Sequence, residues 1–148
     1  MGEFGPDDEI LEFAISREVE AYQLYMTLAS RVKKVGMRKV FEDLAKEELE
    51  HKAKLELELM KIGKTVPISQ ELPGPESDYD DDSLLEMDYK DMLTLGMEKE
   101  ETSFRTYIDL LPSIHNQQSR ELLLALAEEE VKHKIRFENE YEMLLKDS

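Results

Sequence analysis

Apolar residues recur at every third or fourth position along most of this chain, which is the spacing of one face of an α-helix. The pattern separates into four stripes. Pro6, followed by two aspartates, predicts the start of the first helix, and Gly36 predicts its end. Gly63 and Pro112 predict the ends of the second and third helices. The stripes comprise Leu11, Ala14, Ile15, Glu18, Tyr22, Tyr25, Leu28, Ala29 and Val32; Met37, Phe41, Leu44, Glu48, His51, Leu55, Leu59 and Ile62; Leu93, Met97, Glu100, Phe104, Tyr107 and Leu111; and Leu122, Leu123, Leu126, Glu130, His133, Phe137, Tyr141 and Leu144.

The four stripes fall into two pairs with short connections, so each pair is expected to form an antiparallel helical hairpin, over about residues 7–63 and 88–146. Residues 64–87 hold three prolines and the acidic run from Asp78 to Asp82, which is typical of a solvated loop. A connection of this length lets the third helix start at the same end as the second. The sequence therefore predicts an all-α protein with a single domain over residues 1–148, a four-helix bundle with one long crossover between helices 2 and 3.

The second hairpin repeats the first. A shift of 82 positions superimposes a glutamate, a Glu-x-x-His motif and several core residues of one hairpin on their equivalents in the other. Two of the three histidines in the protein therefore lie in Glu-x-x-His motifs, each with a glutamate at the same distance upstream. The equivalent pairs are Glu18 and Glu100, Glu48 and Glu130, His51 and His133, and Tyr25 and Tyr107.

Each repeated glutamate replaces an apolar residue at a core position of its stripe, and each histidine lies one turn further along the same face. Buried carboxylates are costly unless they are protonated, pair with cations or coordinate metal. No lysine or arginine lies on the inward stripes, so metal is the favoured partner. Four carboxylates with two neutral imidazoles balance two divalent cations. Oxygen and nitrogen ligands without sulfur suit iron or manganese, and zinc or cobalt would bind such a site in vitro.

The identity of the ligands leaves one alternative open. Glu47 and Glu129 also repeat, and could replace Glu48 and Glu130. The remaining glutamates near the motifs have no repeated equivalent and are expected at the surface; they are Glu20, Glu50, Glu101 and Glu128.

Tyr25 and Tyr107 each lie seven residues, or two turns, after a repeated glutamate. They are either simple core residues or catalytic phenols that donate a hydrogen bond or an electron near an oxidising metal. His115 follows Pro112 and has no glutamate three residues earlier, so we expect it to be a helix cap or a surface residue.

Composition excludes several classes of site and partner. The chain has no cysteine, which excludes disulfides, thiolate zinc sites, iron–sulfur centres and a thiol nucleophile. Its net charge of −16 repels phosphate backbones and anionic membrane surfaces, so neither nucleic acid nor a membrane is expected as a partner. The acidic N-terminus lacks the apolar core of a signal peptide, so a cytoplasmic location is expected.

Four segments carry a resemblance to a known family: Ala14-Ile-Ser-Arg-Glu18-Val-Glu-Ala-Tyr-Gln-Leu-Tyr25, Leu44-Ala-Lys-Glu-Glu48-Leu-Glu-His51-Lys, Glu100 with Tyr107, and Leu126-Ala-Glu-Glu-Glu130-Val-Lys-His133-Lys. In them the chain resembles rubrerythrin-type, ferritin-like diiron proteins, over essentially its full length. The resemblance implies a ferritin-like bundle with two iron ions per chain. Glu48 and Glu130 would bridge the ions, and Glu18 and Glu100 would be terminal ligands. His51 and His133 would each cap one ion.

The resemblance implies a non-haem diiron oxidoreductase that reduces hydrogen peroxide or dioxygen. Rubrerythrins usually add a cysteine-bound, rubredoxin-like iron domain, so the electron donor here is expected to be a separate molecule such as a rubredoxin-like protein. They also carry a glutamate three residues after the third-helix ligand, where this chain has Ser103. The remaining six ligands are closer to a bacterioferritin-like ferroxidase site. An iron-handling protein that oxidises ferrous iron is therefore the alternative, and a non-catalytic helical interaction module with structural metal is the second.

Rubrerythrin-like bundles commonly associate, which implies a homodimer. The sequence offers apolar residues outside the inward stripes for such an interface, namely Ile10, Met26, Leu57 and Leu124.

Overall fold

The computed structural model describes residues 6–64 and 87–147 of the chain. These residues form four long helices, which are α1 (Pro6–Ser30), α2 (Val35–Lys61), α3 (Tyr89–Leu110) and α4 (Gln117–Lys146). One turn of 3₁₀-helix, Leu111–Ser113, follows α3, and the described residues contain no strand. The predicted all-α fold is confirmed. Most of the predicted crossover, residues 65–86, lies outside the described part of the chain.

The helix ends follow local capping rules at three places. Asp88 and Asn116 precede α3 and α4 and cap them. The side chain of Asp88 accepts a 2.8 Å hydrogen bond from the backbone N–H of Asp91, and that of Asn116 accepts one of 3.0 Å from the backbone N–H of Ser119. Gly63 takes a φ of +93° after α2, and the N–H of Lys64 then bonds to the carbonyl of Leu59. These caps fix where the second, third and fourth helices begin or end.

The end of α1 differs from the prediction. The helix stops at Ser30, whereas the sequence predicts that Gly36 ends it. The hydroxyl of Ser30 donates to the carbonyl of Thr27 at 2.6 Å, a local bond that competes with continued helix. Gly36 lies instead in the first turn of α2, and Val32 packs on the core from the connection between the helices.

Contacts at the two ends of the bundle give the direction of each helix. Asp7 at the start of α1 accepts 2.8 Å bonds from the backbone N–H groups of His115 and Asn116, just before α4. Near the other end, the ring of Tyr89 at the start of α3 meets that of Phe41 in α2 at 6.0 Å. Helices α2 and α3 therefore start at the same end, and α1 and α4 run the opposite way. This is the predicted up-down-down-up order.

Each helix packs most extensively on its own hairpin partner, while the hairpins meet through α1 with α3 and α2 with α4. Two apolar clusters fill the interior. One surrounds Tyr25, Phe41 and Phe137, and the other surrounds Leu55 and Tyr107. Every helix contributes to both clusters, so the segment of each helix between them faces the middle of the bundle. The repeated glutamates and histidines occupy those segments.

Two of the four residues expected to point outward do not. Ile10 is buried in the core, and Met26 packs against it, because α1 is covered on more of its circumference than one stripe implies. Leu57 and Leu124 are about half exposed, as expected. None of the helices in residues 6–64 and 87–147 combines the length and the apolar character needed to cross a bilayer.

Candidate metal centre

Six ionisable side chains meet at the middle of the bundle. The structure brings all six sequence-predicted ligands together and buries them, with exposed fractions between 0 and 3%. Each helix contributes one glutamate, and α2 and α4 each add a histidine one turn further along. They are Glu18 from α1, Glu48 and His51 from α2, Glu100 from α3, and Glu130 and His133 from α4.

These side chains form two groups of four that share two members. Within each group the ligand atoms all lie within 4.8 Å of one another. Glu48 and Glu130 belong to both groups, so their carboxylates lie between the remaining side chains of one group and those of the other. One group consists of Glu18, Glu48, His51 and Glu130, and the other of Glu48, Glu100, Glu130 and His133.

The inner nitrogen of each histidine faces three carboxylates. Nδ1 of His51 lies 3.4–3.5 Å from the nearest oxygens of Glu18, Glu48 and Glu130. Nδ1 of His133 lies 3.2–3.6 Å from the nearest oxygens of Glu48, Glu100 and Glu130. The imidazole rings are parallel to within 6°, with centroids 5.5 Å apart. The two hairpins repeat one another in sequence, and their side chains at the site are related in the same way, by an approximate twofold axis (the pseudo-twofold relation).

The buried polar atoms at the centre test whether metal fits. Both Nδ1 atoms and all four oxygens of Glu48 and Glu130 are buried without a hydrogen-bond partner among the described residues. Such groups are costly to leave unpaired. Atoms that share an ion at about 2.0–2.2 Å are roughly 3–3.6 Å apart, which matches the spacings around each histidine. The chemistry and spacing of these donors therefore fit metal binding, with Glu48 and Glu130 common to both groups.

Two phenols hold the outer carboxylates, and they do so across the hairpins. Tyr25 of the first hairpin donates to Glu100 of the second at 2.5 Å, and Tyr107 donates to Glu18 at 2.8 Å. Both phenols are fully buried. Sequence spacing placed each tyrosine near the glutamate of its own helix, but the structure pairs it with the other. The carboxylates of Glu18 and Glu100 are thereby each fixed by a side chain of the opposite repeat.

Crowding of the carboxylates shifts the acid–base properties of the site. Burial, followed by the charges of the neighbouring carboxylates, raises the pKa of both Glu48 and Glu130 well above the ordinary value. Burial lowers the pKa of His133, but the surrounding carboxylates, Glu100 foremost, outweigh it and raise that pKa to about 9. Burial and nearby carboxylates also raise the pKa of Tyr25 and Tyr107. Without metal, the cluster therefore retains protons.

The alternative ligands lie outside the central groups. Glu47 is 38% exposed, and its Oε1 lies 3.2 Å from Nε2 of His133, the nitrogen that faces away from the carboxylates. Glu129 bonds to Lys132 at 2.9 Å. The sequence indicates Glu47 only as an alternative ligand, and its position behind His133 depends on a contact between α2 and α4. The one signal for Glu47 in the sequence is that it repeats, next to Glu48.

Basic side chains come closer to the centre than the stripes indicate. Lys99 and Arg17 precede Glu100 and Glu18, and their side chains are only 11 and 18% exposed. Both reach Glu20, at 4.0 and 3.8 Å, and no lysine or arginine in the described ranges forms an ion pair with the six central side chains. Burial and the charge of Arg17 lower the pKa of Lys99.

Five further residues singled out from the sequence lie outside the central cluster. Glu50, Glu128 and His115 are exposed, and Glu20 and Glu101 are partly exposed, so none of them belongs to the central cluster. Ser103 is 2% exposed and lies on the inner side of α3, one turn beyond Glu100. The position at which the family resemblance implies a glutamate is therefore directed inward here, with a short hydroxyl side chain.

Comparison with known proteins identifies the fold family. A solved structure of a hypothetical protein from Pyrococcus furiosus is 26% identical, with a TM-score of 0.71, and the match covers 99% of this chain and 94% of that one. No match was found among curated protein sequences. The family model described as rubrerythrin matches residues 9–141. With that match over most of its length and a buried cluster of glutamates and histidines at its centre, this chain belongs to the rubrerythrin family.

Proposed function

We propose that this chain is a non-haem diiron oxidoreductase that reduces hydrogen peroxide or dioxygen, using electrons from a separate donor. The observation that carries the proposal is the pair of four-residue groups sharing Glu48 and Glu130. Carboxylate-bridged ion pairs in a helical bundle are suited to reactions that move two electrons together. Membership of the rubrerythrin family supports iron as the metal.

Reduction of one peroxide molecule takes up two electrons and two protons, breaks the O–O bond and yields two water molecules. Two bound ferrous ions would supply the two electrons. The six side chains at the centre are at most 3% exposed, so only a small reactant can approach them. Peroxide and dioxygen meet that requirement, and a large organic substrate does not.

Tyr25 and Tyr107 position the terminal carboxylates in this proposal. Because burial and the adjacent carboxylates raise the pKa of each phenol, both remain protonated and act as hydrogen-bond donors to Glu100 and Glu18. A carboxylate held from outside keeps its free oxygen directed at the metal position. The phenols thus orient ligands across the two hairpins, which supports a site of fixed geometry.

The electron donor is proposed to be another protein of low potential, such as a rubredoxin-like protein. The 148 residues contain no cysteine to hold a sulfur-bound iron relay, so the donor lies outside them. Once the two stored electrons have been used, the site must be reduced again before a second peroxide can react.

Anaerobic metal loading and rapid mixing test this function. Protein purified without chelators should contain about two iron-class ions per chain. The diferrous protein should be oxidised rapidly by peroxide in one turnover, and turnover should continue only after a reduced rubredoxin-like protein is added. Glu48→Gln should abolish paired binding. Glu50→Gln, a matched change at an exposed position of the same helix, should leave both metal content and oxidation unchanged.

Ser103 favours a second candidate, oxidation of ferrous iron as the substrate. A buried hydroxyl at this position offers less negative charge than a glutamate to stabilise a ferric pair, which favours release of ferric iron. Excess ferrous iron with dioxygen separates the two functions. Iron oxidation would be the function if the protein completed many turnovers with a growing ferric product and reacted no faster with peroxide. Peroxide reduction would then be rejected.

A further inference from the structure

The two histidines of the centre differ at their outer nitrogen. Nε2 of His133 lies 3.2 Å from Oε1 of Glu47, which belongs to the opposite hairpin. Nε2 of His51 has no hydrogen-bond or ion-pair partner in residues 6–64 and 87–147. The inner nitrogens, by contrast, have closely similar surroundings. The pseudo-twofold relation is therefore broken on the outer side of the site only.

The sequence repeat explains the difference. Glu129 occupies the position in the second hairpin that Glu47 occupies in the first, so symmetry would direct it toward His51. Position 132 breaks the symmetry, because it holds lysine where the first hairpin has Glu50. Nζ of Lys132 lies 2.9 Å from Oε2 of Glu129. That carboxylate is thus engaged by the lysine of its own helix.

A carboxylate behind a ligating histidine changes the ligand in two ways. It accepts the proton of Nε2, which leaves the lone pair of Nδ1 directed at the metal position, and it raises the basicity of that nitrogen. Glu47 can provide both effects to His133. His51 has no such partner among the described residues, so neither its tautomer nor its ring orientation is fixed from behind.

We propose that the two metal positions are inequivalent, and that the one formed with His133 and Glu100 binds a divalent ion more tightly and fills first. Glu47 is the positioning residue that produces the difference. Lys132 maintains it by engaging the carboxylate of Glu129, which forms no hydrogen bond or ion pair with His51 among the described residues. The inference rests on the proposed function, since it assumes that the six side chains bind a pair of ions.

Titration with Co²⁺ tests the proposal without any measurement of catalysis. Chelator-treated, full-length protein is titrated while the heat of binding and the visible absorption of the bound ion are recorded. The wild type should bind two ions in two resolved steps with different spectra. Glu47→Ala should weaken the tighter step about 10- to 100-fold and bring the two steps together. Glu47→Gln, which keeps a hydrogen-bond acceptor without the charge, should lose less.

The repeat supplies a matched control and a converse experiment. Glu129→Gln changes the equivalent residue of the other hairpin and should leave both steps unchanged. Lys132→Glu makes position 132 match Glu50 and releases Glu129. Because an exposed ion pair contributes little, this change should strengthen the weaker step only a few-fold, about fivefold at most. Lys132 is 72% exposed, so its replacement leaves the core intact.

The possible failures are distinguishable. Two ions bound in equal steps by the wild type, or an equal loss in both steps on Glu47→Ala, would overturn the inequivalence while leaving the paired metal site standing. An unchanged weaker step in Lys132→Glu would overturn the role given to that lysine. Failure of the wild type to bind a pair of ions would overturn the metal centre itself, and this inference with it.

Discussion

Raising the pH should destabilise the metal-free protein. Without metal, the folded cluster binds protons more tightly than the unfolded chain does, because burial and carboxylate crowding raise the pKa of Glu48 and Glu130 and the carboxylates raise that of His133 to about 9. A group whose pKa is raised by folding contributes stability below its unfolded pKa. That stability is lost as the pH rises through the folded pKa.

The magnitude can be worked out for His133 alone. Its pKa rises from 6.5 to about 9, and each unit corresponds to roughly 1.36 kcal/mol, so about 3 kcal/mol should be lost across this interval. The side chain is 4% exposed, and solvent screening reduces the figure little. For a chain of this length, about 3 kcal/mol lowers the thermal midpoint by roughly 6–12 °C.

Thermal unfolding followed by circular dichroism is the assay. Chelator-treated protein is melted at pH 6.5 and at pH 9, and the midpoint should fall by the amount above. His133→Gln should remove the share of the pH dependence calculated for His133, whereas Glu50→Gln should keep the full dependence. Bound metal requires deprotonated ligands, so the gain in midpoint on adding metal should be larger at the higher pH.

A metal-free midpoint that stays constant or rises between pH 6.5 and pH 9 would refute the reasoning. It would mean that the folded cluster takes up no extra protons in this interval, and hence that the carboxylates do not crowd His133 in solution as they do in the structure.

Three further substitutions test contacts in the interior of the bundle, each measured by urea unfolding of the metal-free protein. Gly96→Ala should cost about 1–3 kcal/mol, because a Cβ atom there would lie 2.6 Å from the ring of Phe137; Phe137→Leu in the same chain should recover part of the loss. Tyr25→Phe should cost about 1.5–3 kcal/mol by removing a buried bond to a carboxylate. Ser119→Ala should cost about 1–3 kcal/mol, since the buried carboxylate of Glu58 loses a 2.9 Å bond; an unchanged midpoint would mean that water replaces the hydroxyl.

The fold and the central cluster of glutamates and histidines were accessible from sequence for one physical reason. A glutamate such as Glu48 at a core position of an apolar stripe has no cheap structural explanation, so its location in the stripe already indicates that it faces the interior. The repetition of the same spacing in the second hairpin made the pattern stronger. Short connections within hairpins and a long one between them then limited the order of the helices.

Features that depend on contacts between helices were not accessible. The spacing from Glu18 to Tyr25 shows that both side chains lie on the same face of α1, but it says nothing of the register of α1 against α3. The hydrogen bonds that Tyr25 and Tyr107 donate across the hairpins therefore could not be predicted. Long side chains raise the same difficulty. Lys99 lies off the inward stripe of its helix, yet its side chain is only 11% exposed and reaches Glu20 on another helix, which its position in the sequence does not determine.

The composition of the two groups bears on what metal does for the fold. Each group takes three side chains from one hairpin and one from the other, and the exceptional member is in both cases a shared glutamate, Glu130 or Glu48. The helices pack far more extensively within hairpins than between them. Ions held across this boundary, together with the crossed tyrosines, would therefore strengthen the weaker of the two kinds of contact. It follows that loss of metal should act first on the docking of the hairpins, and only afterwards on each hairpin itself.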